Sequence, residues 1–191
     1  MSIQLYKIDE SQGTYFWDLE GHWAYDSVIN GAKKGFIKGY PDATFKPNNS
    51  ITRAEFTKAL VEALGLPVIY GEKSNLVGEG KWYTPYYYSA EKKGLIQPFD
   101  YDRKSYNPDK SITRAEMARM IARAFPNETP KGATDLTDIE NLPNDLKDAV
   151  LLAYEKGIIK GYPDHTFRPD GKSTRAEAVV MIVRLLEKKA Q

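Results

Sequence analysis

An all-α fold of three tandem helix-loop-helix repeats is predicted by three features of the sequence. First, the block Ile51-Thr52-Arg53-Ala54-Glu55 returns as Ile112-Thr113-Arg114-Ala115-Glu116 and as Ser173-Thr174-Arg175-Ala176-Glu177, offset by 61 residues each time. Second, apolar residues after each block recur at i, i+3, i+4, i+7 and i+8, the signature of an amphipathic helix with one buried stripe. Third, a shared block precedes each: Gly35-Phe36-Ile37-Lys38-Gly39-Tyr40-Pro41-Asp42 in the first copy and Gly157-Ile158-Ile159-Lys160-Gly161-Tyr162-Pro163-Asp164 in the third. The repeats are placed at 16–66, 76–125 and 135–187, behind an N-terminal extension over 1–15, as one folded module.

Within a repeat, a first helix is expected over 23–34, 84–93 and 146–156, each closed by a glycine (Gly35, Gly94, Gly157) suited to the left-handed backbone of a helix C-cap. The Tyr-Pro-Asp loops that follow read as turns, with proline presetting the backbone and Asp42 or Asp164 satisfying nearby amides. The middle copy runs Gly94 to Pro108 through Gln97-Pro98-Phe99, two residues longer than its counterparts, so its loop follows another path. Second helices carry the stripes Phe56, Ala59, Leu60, Ala63, Leu64, then Met117, Met120, Ile121, Ala124, Phe125, then Ala178, Met181, Ile182, Leu185, Leu186. Each begins with a capping box, Thr52 with Glu55, Thr113 with Glu116 and Thr174 with Glu177. Gly/Pro-rich polar stretches after Gly65 and Pro126 break the periodicity and mark repeat boundaries.

Composition removes whole classes of function. The 191 residues carry 27 Lys+Arg against 26 Asp+Glu, a formal charge of +1, and no cysteine. No whole-molecule field attracts nucleic acid or an anionic membrane, and no disulfide, thiolate metal site or cysteine nucleophile is available. No apolar run approaches a membrane span. Met1 to Asp9 lacks the basic start and apolar stretch of a signal peptide, which predicts either a cytosolic chain or an excised module. The two histidines, His22 and His165, share no ligand spacing, and the short Pro41–Phe45 loop supplies too few oxygens for calcium, so neither a metal nor a cofactor is expected. No nucleophile elbow, phosphate-binding loop or dinucleotide fingerprint is present.

The residues that capping does not explain are Arg53, Arg114 and Arg175. Each occupies the first helical position, where the helix dipole disfavours a cation. Two readings are open. A guanidinium beside helix-start N–H groups makes a local site for a carboxylate or phosphate. Alternatively each arginine pairs with an acid of a neighbouring repeat, such as Asp18 or Asp138, and bolts the repeats together. Trp23 and Trp82 stand twelve residues before Gly35 and Gly94, and the third copy has Asp145 there. An aromatic at that place serves either as a wedge in the core or as a platform for a sugar ring.

Phe16, Asp18, His22, Trp23 and Ala24, followed by G-x-I-x-G-Y-P-D-x-T-F-x-P and I-T-R-A-E, resemble the S-layer homology domain family over about 16–187. The resemblance implies that the three repeats close into a pseudo-threefold spindle. It implies a noncatalytic module of the cell surface that anchors proteins to secondary cell wall polysaccharide of Gram-positive bacteria. The ligand would be a pyruvate-ketal ManNAc residue held in grooves between repeats, with the isolated module monomeric and no membrane insertion. Carried over residue by residue, Arg53, Arg114 and Arg175 would meet the pyruvyl carboxylate, Trp23 and Trp82 would pack on the sugar, Gly39 and Gly161 would line grooves, and Asp18 and Asp138 fill the family's early acidic position. The second copy departs with Val77 in place of that Asp and without the Gly-Tyr-Pro-Asp loop. Ala43 and His165 stand where the family usually has glycine. Fewer than three equally competent grooves are expected.

Overall fold

The computed structural model describes residues 15–132 and 134–191. The extension expected over 1–15 therefore lies, apart from Tyr15, outside the described residues. Six α-helices and no strands are found among the described residues: α1 (Tyr25–Lys33), α2 (Arg53–Ala63), α3 (Thr84–Lys93), α4 (Arg114–Ala122), α5 (Asn144–Glu155) and α6 (Arg175–Lys189). The all-α expectation holds, two helices to a repeat. Short 3₁₀ turns lie at Trp17–Leu19 and Pro98–Asp100, the latter in the lengthened middle loop.

Local chemistry accounts for where the helices start and stop. At α2, Thr52 Oγ1 accepts from the Glu55 N–H at 3.1 Å while the Thr52 N–H donates to Glu55 Oε2 at 2.8 Å, and α4 and α6 repeat this reciprocal cap. α3 ends at Gly94 with φ 76°, and Gly35 and Gly157 adopt the same left-handed conformation after α1 and α5. The expected stripes are buried in α4 and α6 through Met117, Met120, Ile121, Met181, Ile182 and Leu185, whereas Ala63 and Leu64 at the end of α2 are only partly covered. All nine residues of α4 are buried, including Arg114 and Arg119. This helix is walled in on every side.

Helix pairing crosses the repeat boundaries. α2 packs on α3, α4 on α5, and α6 returns to pack on α1, so each second helix finds the first helix of the next repeat and the third repeat finds the first. The backbone follows the same cycle. Ile112 donates to Ile51 O at 3.0 Å, Ser173 to Ile112 O at 3.2 Å, and Ile51 to Ser173 O at 3.1 Å. Isolated bridges Thr52 with Ser111, Thr113 with Lys172 and Ser50 with Thr174 flank this ring. Ile51 and Ser173 are fully buried and Ile112 nearly so. Ser173 Oγ is a buried polar atom with no hydrogen-bond partner among the described residues. Serine at the place of two isoleucines puts a hydroxyl in an apolar centre.

Candidate functional site

The three helix starts are spoken for by their neighbours. The Arg53 and Ala54 N–H groups donate to Lys110 O and Pro108 O, those of Arg114 and Ala115 to Gly171 O and Pro169 O, and those of Arg175 and Ala176 to Asn49 O and Pro47 O, at 2.8–3.1 Å. With the third N–H bound by the capping threonine, none of these three helix starts offers free amides to an anion. The backbone half of the expected anion site is therefore engaged within the protein, which leaves the guanidinium groups as the part of that reading to follow.

Those guanidinium groups reach across to the next repeat. Arg53 Nε and Nη2 donate to Glu116 Oε1 at 3.0 and 2.6 Å, and Nη1 to Asn107 O at 3.2 Å. Arg114 Nε donates to Phe167 O at 2.8 Å and Nη2 to Lys160 O at 3.0 Å. Arg175 repeats this with Phe45 O at 3.0 Å and Lys38 O at 2.9 Å. The acidic partners are the glutamates of the capping boxes rather than Asp18 or Asp138. Glu116 uses Oε2 for its own Thr113 N–H and Oε1 for Arg53, so one carboxylate caps a helix and joins two repeats. The sequence signal for this second role was the glutamate's own threefold recurrence, which capping already explained.

The carboxylate contact differs among the three. It is 2.6 Å for Arg53 to Glu116, 3.5 Å for Arg114 to Glu177, and 3.9 Å for Arg175 to Glu55. Burial works against the Arg53 charge, yet the Glu116 hydrogen bond and charge outweigh it and hold the guanidinium above its ordinary pKa. Arg114 and Arg175 keep an Nη1 edge with at most a long contact, while their other nitrogens are fixed by carbonyls and their planes lie over Tyr162 and Phe167 or Tyr40 and Phe45.

Arg114 lines a cleft of about 310 Å³ where all three repeats meet, with Trp23 from the first and Lys160, Gly161, Glu177 and Arg184 from the third. Trp23 is 64% exposed, a ring presented to the cleft rather than buried as a wedge. Its lining thus includes three basic residues and one acidic one, Glu177, with Arg184 also donating to Ile158 O at 3.3 Å. Sequence reasoning singled out Trp23, Arg114 and Gly161 but missed Lys160 and Arg184; Lys160 lay inside the recognised loop block, and Arg184 sits one turn beyond the stripe residue Met181. A Cβ at Gly161 would fall 2.6 Å from Leu136 Cδ2, so that side chain would have to shift to admit one.

The remaining expected residues lie as follows. Gly39 follows Lys38, whose carbonyl holds Arg175, as Gly161 follows Lys160. Trp82 lines a separate cleft of about 520 Å³ with Tyr70, Glu72, Glu79 and Lys81, in which Arg175 takes no part. Asp18 accepts from the Phe45 and Lys46 N–H groups at 2.8 and 2.7 Å, and Asp138 from those of Phe167 and Arg168 at 2.7 and 2.8 Å. Both oxygens of each are committed to shaping the loop whose carbonyl holds an arginine. Lys46 and Arg168 take φ 55° and 58° in these loops, as Ala43 and His165 do at 58° and 61°.

At the Arg53 junction the counterpart of the Trp23 cleft is closed by charge. Asp145 stands at the tryptophan's place, and Arg119, the residue before Met120, extends to it at 3.4 Å and to Asp100 at 3.8 Å. Asp100 also receives Arg123 Nη2 at 2.7 Å. Burial pushes the Asp100 carboxyl up, but the bonds from Arg123 and the Gln97 N–H and the charges of Arg119 and Arg123 overcome it and hold it below the usual value. Among the described residues no group of three or more His, Cys, Asp or Glu is arranged to hold a metal ion, and no helix is long and apolar enough to cross a membrane.

Residues 15–57, 79–118 and 136–179 match the family described as the S-layer homology domain. The chain is 31% identical over 167 residues to the S-layer protein sap of Bacillus anthracis, covering 85% of this chain and 20% of that protein. It is 35% identical over 168 residues to the cellulosome-anchoring protein of Acetivibrio thermocellus, covering 83% of this chain and 37% of that one. An amylopullulanase of Thermoanaerobacterium thermosulfurigenes shares 34% over 179 residues, 91% of this chain but 10% of the enzyme. The chain thus spans well under half the length of these relatives. Three matched segments, each holding one T-R-A-E helix start, show that the chain belongs to the S-layer homology domain family.

Proposed function

We propose that the chain is a noncatalytic anchoring module of the cell surface that binds pyruvylated secondary cell wall polysaccharide, with the pyruvate-ketal ManNAc residue in the Trp23–Arg114 cleft. The observation that carries this reading is the open Nη1 edge of Arg114 beside an exposed tryptophan and two further cations, Lys160 and Arg184, in one cleft. A ketal carboxylate suits the guanidinium edge, and the sugar face suits the indole. Charge-assisted hydrogen bonds contribute roughly 1.5–3 kcal/mol each, which sets the scale of specificity for the pyruvylated form. The names of the S-layer and cellulosome-anchoring relatives support the anchoring role, and the small share of the amylopullulanase that the chain matches fits a module attached to catalysts rather than a catalyst.

Arg175, with its Nη1 edge 3.9 Å from Glu55, supports a second groove lined by Lys38 and Gly39. Arg53 favours the other reading, a bolt between repeats, because Glu116 occupies it. The expected cycle of three repeats and a monomeric module fit the interlocking contacts made within the one chain. Calorimetric titration with purified secondary cell wall polysaccharide, before and after chemical removal of pyruvate, tests the function. Binding to the pyruvylated material alone is expected; equal binding to both discards the carboxylate mechanism, and binding to neither discards the glycan.

A further inference from the structure

On the other side of the Lys160-Gly161-Tyr162 segment lies a second cleft, of about 560 Å³. Lys160, Gly161 and Tyr162 line both clefts, so one short stretch of backbone separates them. The second cleft holds a polar cluster that the anchoring reading leaves unused. His165 Nδ1 lies 2.8 Å from Asp135 Oδ2, and the Tyr154 hydroxyl donates to the other oxygen of the same carboxylate. The hydrogen bonds from Tyr154 and His165 hold the Asp135 carboxyl below its usual pKa. An ionised carboxylate only accepts, so the neutral imidazole must carry its proton on Nδ1 and turn an unprotonated Nε2 outward.

This arrangement belongs to the third repeat alone. In the first, Tyr15, Ala32 and Ala43 stand at the places of Asp135, Tyr154 and His165. In the second, Ser74 bonds Glu91 at 2.6 Å, and Glu91 turns back onto the Asn75 and Leu76 N–H groups. The His165 imidazole is 62% exposed, and Glu155 nearby is already spent on the Lys131 and Gly132 N–H groups. Tyr162 is stacked by Arg114 and Arg168, so what remains for a ligand is one imidazole acceptor beside the Tyr154 and Pro163 rings: a hydrogen-bonding group for a hydroxyl next to apolar faces for C–H surfaces.

Resting on the reading of the Trp23–Arg114 cleft given above, we propose that the Asp135–Tyr154–His165 cleft is a second sugar subsite, which takes the neutral saccharide residue joined to the one in the first cleft. A polymer seated in the first cleft crosses the low wall at Gly161, and a hydroxyl of its next residue donates to His165 Nε2.

The test compares two probes by calorimetry: the methyl glycoside of pyruvate-ketal ManNAc, which fills one cleft, and an oligosaccharide of the wall polymer ending in that ketal. Wild type is expected to bind the oligosaccharide about tenfold more tightly, and His165→Gly, which keeps the turn's backbone, is expected to erase that preference without changing the affinity for the monosaccharide. Tyr154→Phe, which frees Asp135 to swing, should reduce the preference partly. Equal wild-type affinity for the two probes, or a preference intact in His165→Gly, overturns the subsite. Failure of wild type to bind the monosaccharide overturns the reading of the first cleft instead, and the subsite with it.

Discussion

The Arg114 and Arg53 junctions are built from the same five-residue block, yet one is open and the other shut. Around Arg114 the neighbouring glutamate stands back at 3.5 Å, Val180 lines the cleft, and Trp23 faces it. Around Arg53 the glutamate is at 2.6 Å, Arg119 takes the place of Val180, and Asp145 that of the tryptophan. A charge pair drawn across the gap does for the second junction what a ligand would do for the first. The arginine is thus a repeat-joining residue everywhere, and on the proposed function it recognises a ligand only where its neighbours leave an edge open.

The comparison breaks first on stability. Arg53→Ala leaves Glu116, whose side chain is 10% exposed, without its partner, and a loss of about 3 kcal/mol is expected in denaturant unfolding, with glycan affinity unchanged. A fall in affinity as large as that from an Arg114 variant would erase the distinction. Arg114→Lys keeps the charge but loses the planar fork, and about a tenfold loss of affinity is expected by calorimetry.

Acid should act on the shut junction. Asp100 has a folded pKa held below that of the unfolded chain, so its contribution to stability is fully present above about pH 4 and is lost as pH falls through the folded value. The exposed loop carboxylates Asp42 and Asp164 are shifted the same way, Asp164 to about 2, by bonds from Thr44 and Thr166 respectively. Thermal melts between pH 7 and pH 2 should show the midpoint falling below pH 4, and Asp100→Asn should flatten that fall. The smallest effect expected is at the ring: Ser173→Ala removes an unpaired hydroxyl and should raise stability by about 1 kcal/mol, whereas a loss of stability would mean that the hydroxyl finds a partner.

Much of this was legible in the sequence because it is periodic. The 61-residue offset, the helical stripes and the threonine–glutamate spacing each follow from local chemistry, and the helices formed where those patterns put them. Partnership between repeats was not legible. Nothing in Thr174 to Glu177 says that Arg175 will reach Phe45 and Lys38, some 130 residues earlier, because that contact depends on how the repeats meet. The expected free amides at these helix starts are missing for the same reason: after the capping box, local reasoning leaves two N–H groups free at each, and the neighbouring loop takes both. Trp23 and Arg114 were singled out separately, from an aromatic position and a misplaced cation. That they share one cleft with Gly161 is a product of tertiary structure alone.

The most direct measurement uses the three tryptophans as reporters. In a ¹H–¹⁵N correlation spectrum each indole N–H gives one signal, assigned through single Trp→Phe variants, and Trp17 serves as the internal control because its Nε1 is bonded to Asp42 O. Titration with the methyl glycoside of pyruvate-ketal ManNAc is expected to move the Trp23 signal in saturable fashion, and Arg114→Lys is expected to weaken that response while Arg53→Ala leaves it intact. A Trp23 signal that stays in place at saturating ligand, or one that moves equally in both arginine variants, would contradict the assignment of the open junction as the binding cleft.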